Sequence, residues 1–177
     1  MLDSLPYGAV SGSLVAGDKA TSPGTDKGYL RDWNVYASVT TYCTTKVNSA
    51  GCTPRITSAG LPCLSGDDAF FLVALQVLSQ KYGVFFWGTQ SQGSPFGGGT
   101  LCVKLPVVRS GVLDSGGPTS GPNCGGSYSY YFRQNYMSSH GITPGATIYG
   151  QFWSRDPGYS PPNNVGLTDA VRFVVTP

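Results

Sequence analysis

The side chains that could carry out chemistry in this sequence are few and scattered. His140 is the only histidine among 177 residues, and it lies in the loop-like stretch SSHGITPG. Nucleophilic catalysis needs such a base beside a serine, cysteine or threonine. No serine stands in a Gly-x-Ser-x-Gly elbow. We therefore predict an exposed loop histidine and a protein that is not an enzyme, with a secreted hydrolase as the lowest-ranked alternative.

The acidic side chains are all aspartates, nine in number, with no glutamate. Paired carboxylates could hydrolyse glycosides, and clustered oxygen ligands could bind Ca²⁺. Asp67 and Asp68 lie in the turn sequence SGDD, and Asn163 and Asp169 lie in PPNNVGLTD. Neither stretch has the spacing of an EF-hand, so we predict structural turns and no cofactor. Calcium at these four residues is the alternative.

Aromatic side chains are the feature best suited to recognition. The chain has three tryptophans and eleven tyrosines. Such rings offer a large apolar face with a polar edge, which suits sugar stacking or protein interfaces. The alternative is ordinary packing within and upon the sheets. The aromatic residues that we select as ligand-binding candidates are Trp87, Tyr128, Tyr130 and Trp153.

Five cysteines without Cys-x-x-Cys spacing predict disulfides and hence an oxidising compartment. Cys43 and Cys52 flank a polar stretch that could close as a turn, and Cys102 and Cys124 flank a loop rich in Gly and Pro. Five cysteines allow several pairings, so the connectivity stays open. One cysteine must remain, and we predict that it is Cys63, either buried or bonded to another chain.

Composition excludes several classes of protein. Charged residues make up 11% of the chain, against roughly 25% in ordinary soluble domains. The net charge is +2 and no basic cluster occurs, which argues against nucleic-acid binding. No stretch approaches the ~20 apolar residues of a membrane span, so we predict no membrane insertion. The N-terminal sequence MLDSLPYGAV lacks the pattern of a signal peptide, so in a secreted protein either the signal has been removed or Met1 begins an excised fragment.

The arrangement of apolar residues predicts the elements that hold these side chains. Residues 1–32 are poor in bulky apolar residues and are predicted to be a linker or an extended N-terminal arm, followed by a domain over 33–177. Alternating or continuous apolar runs predict about seven strands; a short buried helix is an alternative for the second of them, and Pro106 marks an edge or a bulge in the fourth. The predicted strands cover residues 33–40, 70–78, 82–87, 101–108, 127–134, 147–153 and 170–175.

Short strands separated by loops of Gly, Pro, Ser and Asn favour an all-β fold. We predict an antiparallel β-sandwich, of jelly-roll or immunoglobulin-like type, stapled by disulfides and carrying the extended N-terminal arm.

Six segments together resemble a module found near the C-termini of large exported proteins of planctomycete-type bacteria. They span residues 40–177 and read TYCTTKVNSAGCTP, YGVFFWG, PFGGGTLCVKLPVVR, NCGGSYSYYF, FWSRDPG and GLTDAVRFVVTP. The resemblance implies a secreted all-β domain with four cysteines, at positions 43, 52, 102 and 124. Cys63 is then an addition to the pattern. No activity is attached to the family, so the resemblance implies a location and a fold.

These observations lead to a predicted function of binding or assembly. We predict a non-catalytic extracellular structural or adhesion protein of the cell surface, which assembles through sheet edges or arm contacts into a filament or surface layer. Its partners would be copies of itself, other surface proteins or polysaccharide. The second hypothesis is a carbohydrate-binding module that uses exposed tryptophan and tyrosine rings.

Overall fold

A computed structural model of the protein describes residues 39–177. The predicted arm, residues 1–32, and most of the first predicted strand lie outside the described residues. Within them the chain is an all-β sandwich of antiparallel sheets, braced by two disulfides. This confirms the predicted fold class.

Eleven strands and one short helix make up the described part of the chain. The strands are β1 (Thr40–Tyr42), β2 (Arg55–Ala59), β3 (Phe71–Val77), β4 (Tyr82–Gly88), β5 (Ser91–Phe96), β6 (Gly99–Val103), β7 (Val108–Arg109), β8 (Leu113–Asp114), β9 (Gly126–Tyr131), β10 (Thr147–Arg155) and β11 (Val165–Val174). The helix is α1 (Gln134–Ser139).

The strands form three layers. The large sheet has the order β1-β11-β10-β4-β7, and β8 also pairs with β4. The small sheet has the order β2-β3-β9, and β5 and β6 form a separate hairpin. Gly97 and Gly98, both with positive φ, make the two-residue turn of that hairpin, a conformation that side chains with a Cβ rarely adopt.

The core lies between the small sheet and the large sheet. Tyr128 of β9 stacks on Phe152 of β10, with ring centroids 6.0 Å apart, and Tyr130 stacks on Phe85 of β4 at 5.0 Å. Alternate side chains of a strand point to one face, so these contacts identify the inner face of each strand. The remaining core residues include Ile56, Leu72, Ala74, Trp87, Phe132, Ile148, Val171 and Phe173.

The β5–β6 hairpin covers the opposite face of the large sheet. Gln151 of β10 points to that face and is fully buried although it is polar. Its Oε1 accepts a hydrogen bond from the Cys102 backbone N–H at 3.0 Å, and its Nε2 donates to the Thr100 and Thr168 carbonyl oxygens. Because every polar atom of the amide is paired, the burial of Gln151 is tolerated. The same hydrogen bonds join the hairpin to the large sheet.

Six of the seven predicted strands, those after residue 40, coincide with observed strands, two of them with differences, whereas β2, β5 and β8 were not predicted. The stretch predicted over 101–108 is divided into β6 and β7, since Pro106, which has no backbone N–H, lies between them. The strand predicted over 127–134 ends at Tyr131 and is followed by α1. This helix was not predicted, because its six residues show only a weak apolar pattern. The run over 70–78 is the strand β3, and the helical alternative for it is wrong.

Candidate functional site

Two of the four candidate binding aromatics belong to the core. Trp87 is 5% exposed and Tyr128 is 1% exposed, so neither ring can present a face to a ligand. Trp87 Nε1 donates a hydrogen bond to the Tyr136 hydroxyl at 3.0 Å. Desolvation raises the pKa of Tyr128 to about 12, and its hydroxyl donates to the Lys81 carbonyl at 2.9 Å. The prediction that these two rings are exposed is wrong, because both lie on the face that the two sheets share.

The other two candidates are half-buried and lie apart. Tyr130 packs on Phe85, and desolvation raises the pKa of its hydroxyl above the ordinary tyrosine value. Trp153 of β10 pairs with Val84 and Leu167 of the neighbouring strands and lies on the opposite face of the large sheet. The four aromatics therefore do not form one stacking platform.

His140 ends α1 and is exposed. Its ring lies 4.0 Å from the Tyr136 ring, centroid to centroid, and Nδ1 lies 2.9 Å from the Tyr136 carbonyl oxygen. These contacts hold the imidazole against the end of the helix, which agrees with the loop position predicted for it.

The four calcium candidates occupy three separate places. Asp68 Oδ1 accepts the Gln134 backbone N–H at 2.9 Å, and Asp169 Oδ1 accepts the Ile56 N–H at 2.6 Å. Desolvation raises the pKa of Asp169, and the hydrogen bond from Ile56 opposes that shift. Asp67 is an exposed neighbour of Asp68, and Asn163 lies in a cleft described below. The structure does not bring these residues together, and no group of three metal-ligating acidic, histidine or cysteine side chains occurs over residues 39–177.

The disulfides join distant parts of the chain. Cys43 pairs with Cys102 and Cys52 pairs with Cys124, with Cα–Cα distances of 6.3 and 6.2 Å. The polar stretch and the Gly/Pro-rich loop are therefore not closed by their own flanking cysteines. Cys63, half-buried beside the end of the chain, is the free cysteine, as predicted. Two structural disulfides indicate an oxidising environment.

A buried lysine is the feature that sequence patterns missed. Lys46 lies in the loop after β1, is 8% exposed, and donates three hydrogen bonds from Nζ to backbone carbonyl oxygens. The acceptors are the carbonyl oxygens of Gly97 at 2.7 Å, Val165 at 2.7 Å and Asn163. Each of the three ammonium protons thus has an acceptor. Desolvation lowers the pKa of Lys46, and the nearby Asp156 carboxylate opposes that shift.

Asp156 is a buried acidic residue whose carboxylate lies near the Lys46 ammonium. It is fully buried, and its Oδ2 accepts the Ser49 backbone N–H at 2.9 Å, while Oδ1 has no partner among the described residues. Asp156 belongs to the segment FWSRDPG, one of the six that carry the resemblance. A lone lysine and a lone aspartate 110 positions apart (46 and 156) carry no sequence signal of their proximity.

An open cleft of about 530 Å³ adjoins Lys46. Its walls are the loop after β1, the turn and start of β6, and the loop between β10 and β11. The Thr44 and Thr100 side chains both line it, and their hydroxyl oxygens lie 3.1 Å apart. The Lys46 ammonium lies over the ring of Tyr159, 4.7 Å from its centroid, and Tyr159 is 36% exposed.

The fold and the site define a disulfide-braced, all-β sandwich protein with an open polar cleft. No protein-family model matches the chain, and no curated protein or solved structure matches it either. In the described part of the chain, no helix has the length and apolar character needed to cross a membrane.

Proposed function

We propose that the protein is a non-catalytic extracellular structural or adhesion module that associates with copies of itself through the open edge of its small sheet. The observation that carries this proposal is the outer side of β9, where a strand edge and a half-exposed apolar surface meet. The disulfide-braced layers support a role outside the cell, and the resemblance to exported surface proteins points to the same place.

The register shows which backbone groups of β9 are open. The Phe132 N–H donates to the Phe70 carbonyl at 2.9 Å, and alternate residues of an antiparallel pair face the partner strand. Tyr128 and Tyr130 therefore pair with β3, while Ser129 and Tyr131 direct their backbone groups to the outer side. The Ser127 N–H points to the same side but donates to the Ser115 carbonyl at 2.9 Å, so the open part of the edge is Ser129–Tyr131. Such an edge accepts a further strand by β-augmentation.

The outer face of the small sheet adds apolar area beside that edge. Phe71, Val73 and Leu75 of β3 are half-exposed, whereas the alternate residues of the same strand are in the core. The Phe71 ring stacks on Tyr131 with centroids 4.5 Å apart. No acidic side chain lies on β2, β3 or β9, so two copies could meet there without carboxylate repulsion.

The β5 edge of the hairpin is less suited to strand addition. The β5 strand is exposed, but it contains Pro95, which lacks an N–H, and a bulge between Ser91 and Ser94. Proline and bulges are the usual means by which proteins protect an edge. These features favour β9 over β5 as the contact.

Ser129→Pro tests the proposal, with Ser129→Ala as the matched control. Proline removes the open N–H without breaking a bond to β3, so the fold should persist while strand addition is blocked. We expect the native chain and Ser129→Ala to show particle masses that rise with concentration in sedimentation velocity. Ser129→Pro should remain a monomer over the same range.

A second pair of variants covers the outcome in which proline disturbs β9. Val73→Lys places a charge on the outer face of β3, and Thr89→Lys places one in the exposed loop after β4, outside the small sheet. Loss of association in the first and its retention in the second would support the contact. A chain that stays monomeric at every concentration, both intact and with residues 1–32 deleted, would overturn the proposal.

A further inference from the structure

The cleft beside Lys46 has walls that are held in place before any ligand arrives. Thr44 follows Cys43 directly, and Thr100 precedes Cys102 by two residues, so the Cys43–Cys102 disulfide fixes the distance between these two walls. The third wall is attached through Asp156, whose carboxylate accepts the Ser49 N–H. Binding sites benefit from such preorganisation because less conformational entropy is lost on binding.

The lining of the cleft is polar but has little free charge. Every proton of the Lys46 ammonium is already donated to a backbone carbonyl, so this group has none left for a bound anion. The Asp156 carboxylate nearby offsets its charge. An anionic ligand such as phosphate or sulfate would therefore find neither a free donor on Lys46 nor a net positive site.

The groups that remain available are hydroxyls, an amide and an aromatic ring. The Thr44 and Thr100 hydroxyls, 3.1 Å apart, share one hydrogen bond and keep one further proton and several lone pairs. The Asn163 side chain offers both a donor and acceptors, and Tyr159 offers apolar ring area, while its hydroxyl is engaged with the Val47 and Asn48 carbonyl oxygens at 3.4 and 3.3 Å. The volume of about 530 Å³ falls within the usual size of ligand sites.

We propose that this cleft is a binding site for a neutral saccharide. Vicinal sugar hydroxyls would exchange hydrogen bonds with Thr44, Thr100 and Asn163, while a C–H face of the sugar ring contacts Tyr159. The site differs from the aromatic residues that the sequence suggested, and it does not depend on the β9 edge. The protein would thereby bring a glycan contact to whatever assembly it forms.

Saturation-transfer difference NMR on the full chain tests this site. The probes are D-glucose, D-galactose, D-mannose, N-acetyl-D-glucosamine and a short β-1,4-linked glucose oligomer, with inorganic sulfate as the charged comparison. We expect saturation transfer to at least one of these sugars. Thr100→Val, which keeps the shape of the side chain and removes its hydroxyl, should weaken that binding about five- to tenfold.

Thr57→Val is the matched control, because it makes the same change at an exposed position of β2 that does not line the cleft. It should bind the sugar as the native chain does. Tyr159→Ala supplies a second variant, with an expected loss of binding at least as large as that of Thr100→Val. The proposal is overturned if no sugar in the panel binds, if both threonine variants bind equally, or if sulfate displaces the sugar.

Discussion

At the level of single side chains, Lys46 and Asp156 have the largest consequences for the fold. The ammonium joins three segments, namely the loop after β1, the hairpin turn at Gly97 and the start of β11 at Val165. Backbone carbonyls that lose such a donor remain buried without a partner, and an aspartate nearby loses its opposite charge. Both effects act on the folded state alone, so they appear directly in the free energy of unfolding.

We predict that Lys46→Met lowers the free energy of unfolding by about 3 kcal/mol. Methionine keeps the apolar stem but donates no hydrogen bond, so three carbonyls and the Asp156 carboxylate are left uncompensated. Lys104→Met, at an exposed lysine, is the control and should change stability by less than about 0.5 kcal/mol. Urea unfolding followed by tryptophan fluorescence measures both free energies of unfolding. Equal effects would show that the three hydrogen bonds of the Lys46 ammonium contribute nothing to stability.

At the level of the elements, the disulfides explain how strands of different layers are held together. Cys43–Cys102 connects the end of β1 to the hairpin strand β6. Cys52–Cys124 connects the loop before β2 to the loop before β9, hence both outer strands of the small sheet. Each bond closes a long loop, of 59 and 72 residues respectively.

Loop length makes the second disulfide a strong test of this arrangement. In the chain-entropy account, closing a loop of 72 residues stabilises the folded state by about 4 kcal/mol. We therefore predict that Cys52→Ala combined with Cys124→Ala lowers the free energy of unfolding by roughly that amount. Cys63→Ala should cost about 1 kcal/mol or less, because it removes no cross-link.

Peptide mapping of the non-reduced chain provides the independent check on the connectivity. It should recover Cys43 joined to Cys102 and Cys52 joined to Cys124. Recovery of Cys43 joined to Cys52 would contradict the layered bracing described above.

At the level of the whole molecule, the buried tyrosines make stability depend on alkaline pH. Desolvation raises the pKa values of Tyr42, Tyr128 and Tyr130 above the ordinary value of 10.0, that of Tyr128 to about 12. For an acid whose pKa is raised by folding, the folded state holds the proton more tightly than the unfolded state. The associated stability is present below pH 10 and is lost as the pH rises toward the folded value.

We predict that the urea concentration at the midpoint of unfolding decreases as the pH rises from about 10 to about 12. Tyr128→Phe should make this decrease shallower. A shift of two pKa units corresponds to about 2–3 kcal/mol at most. Tyr82→Phe, at a tyrosine that is 59% exposed, should leave the slope unchanged. The measurements should use the Cys63→Ser background, which prevents thiol exchange at high pH; identical slopes in all variants would contradict the prediction.

Local patterns in the sequence were sufficient to predict much of the fold. The apolar alternation over residues 170–175 correctly predicted a strand there, and Val171, Phe173 and Val175 are buried, because side chains of a strand point to opposite sides in turn. The loops rich in Gly and Pro separated the strands, and Cys63 was correctly predicted to be the unpaired cysteine, although the other four do not close the loops that they flank. These properties depend on neighbours along the chain, which a single sequence displays.

Contacts between distant segments were beyond such patterns. Trp87 and its neighbour Phe86 are both buried because β4 is covered on its two faces, by the small sheet and by the hairpin, and alternation cannot tell how many layers will pack. Gln151 is polar yet fully buried for the same reason. The disulfides and the hydrogen bonds of the Lys46 ammonium likewise join segments separated by 50 or more positions. The chain alone thus specified strands and an oxidised all-β class, whereas the covered faces, the bonded cysteines and the cleft arose from packing between layers.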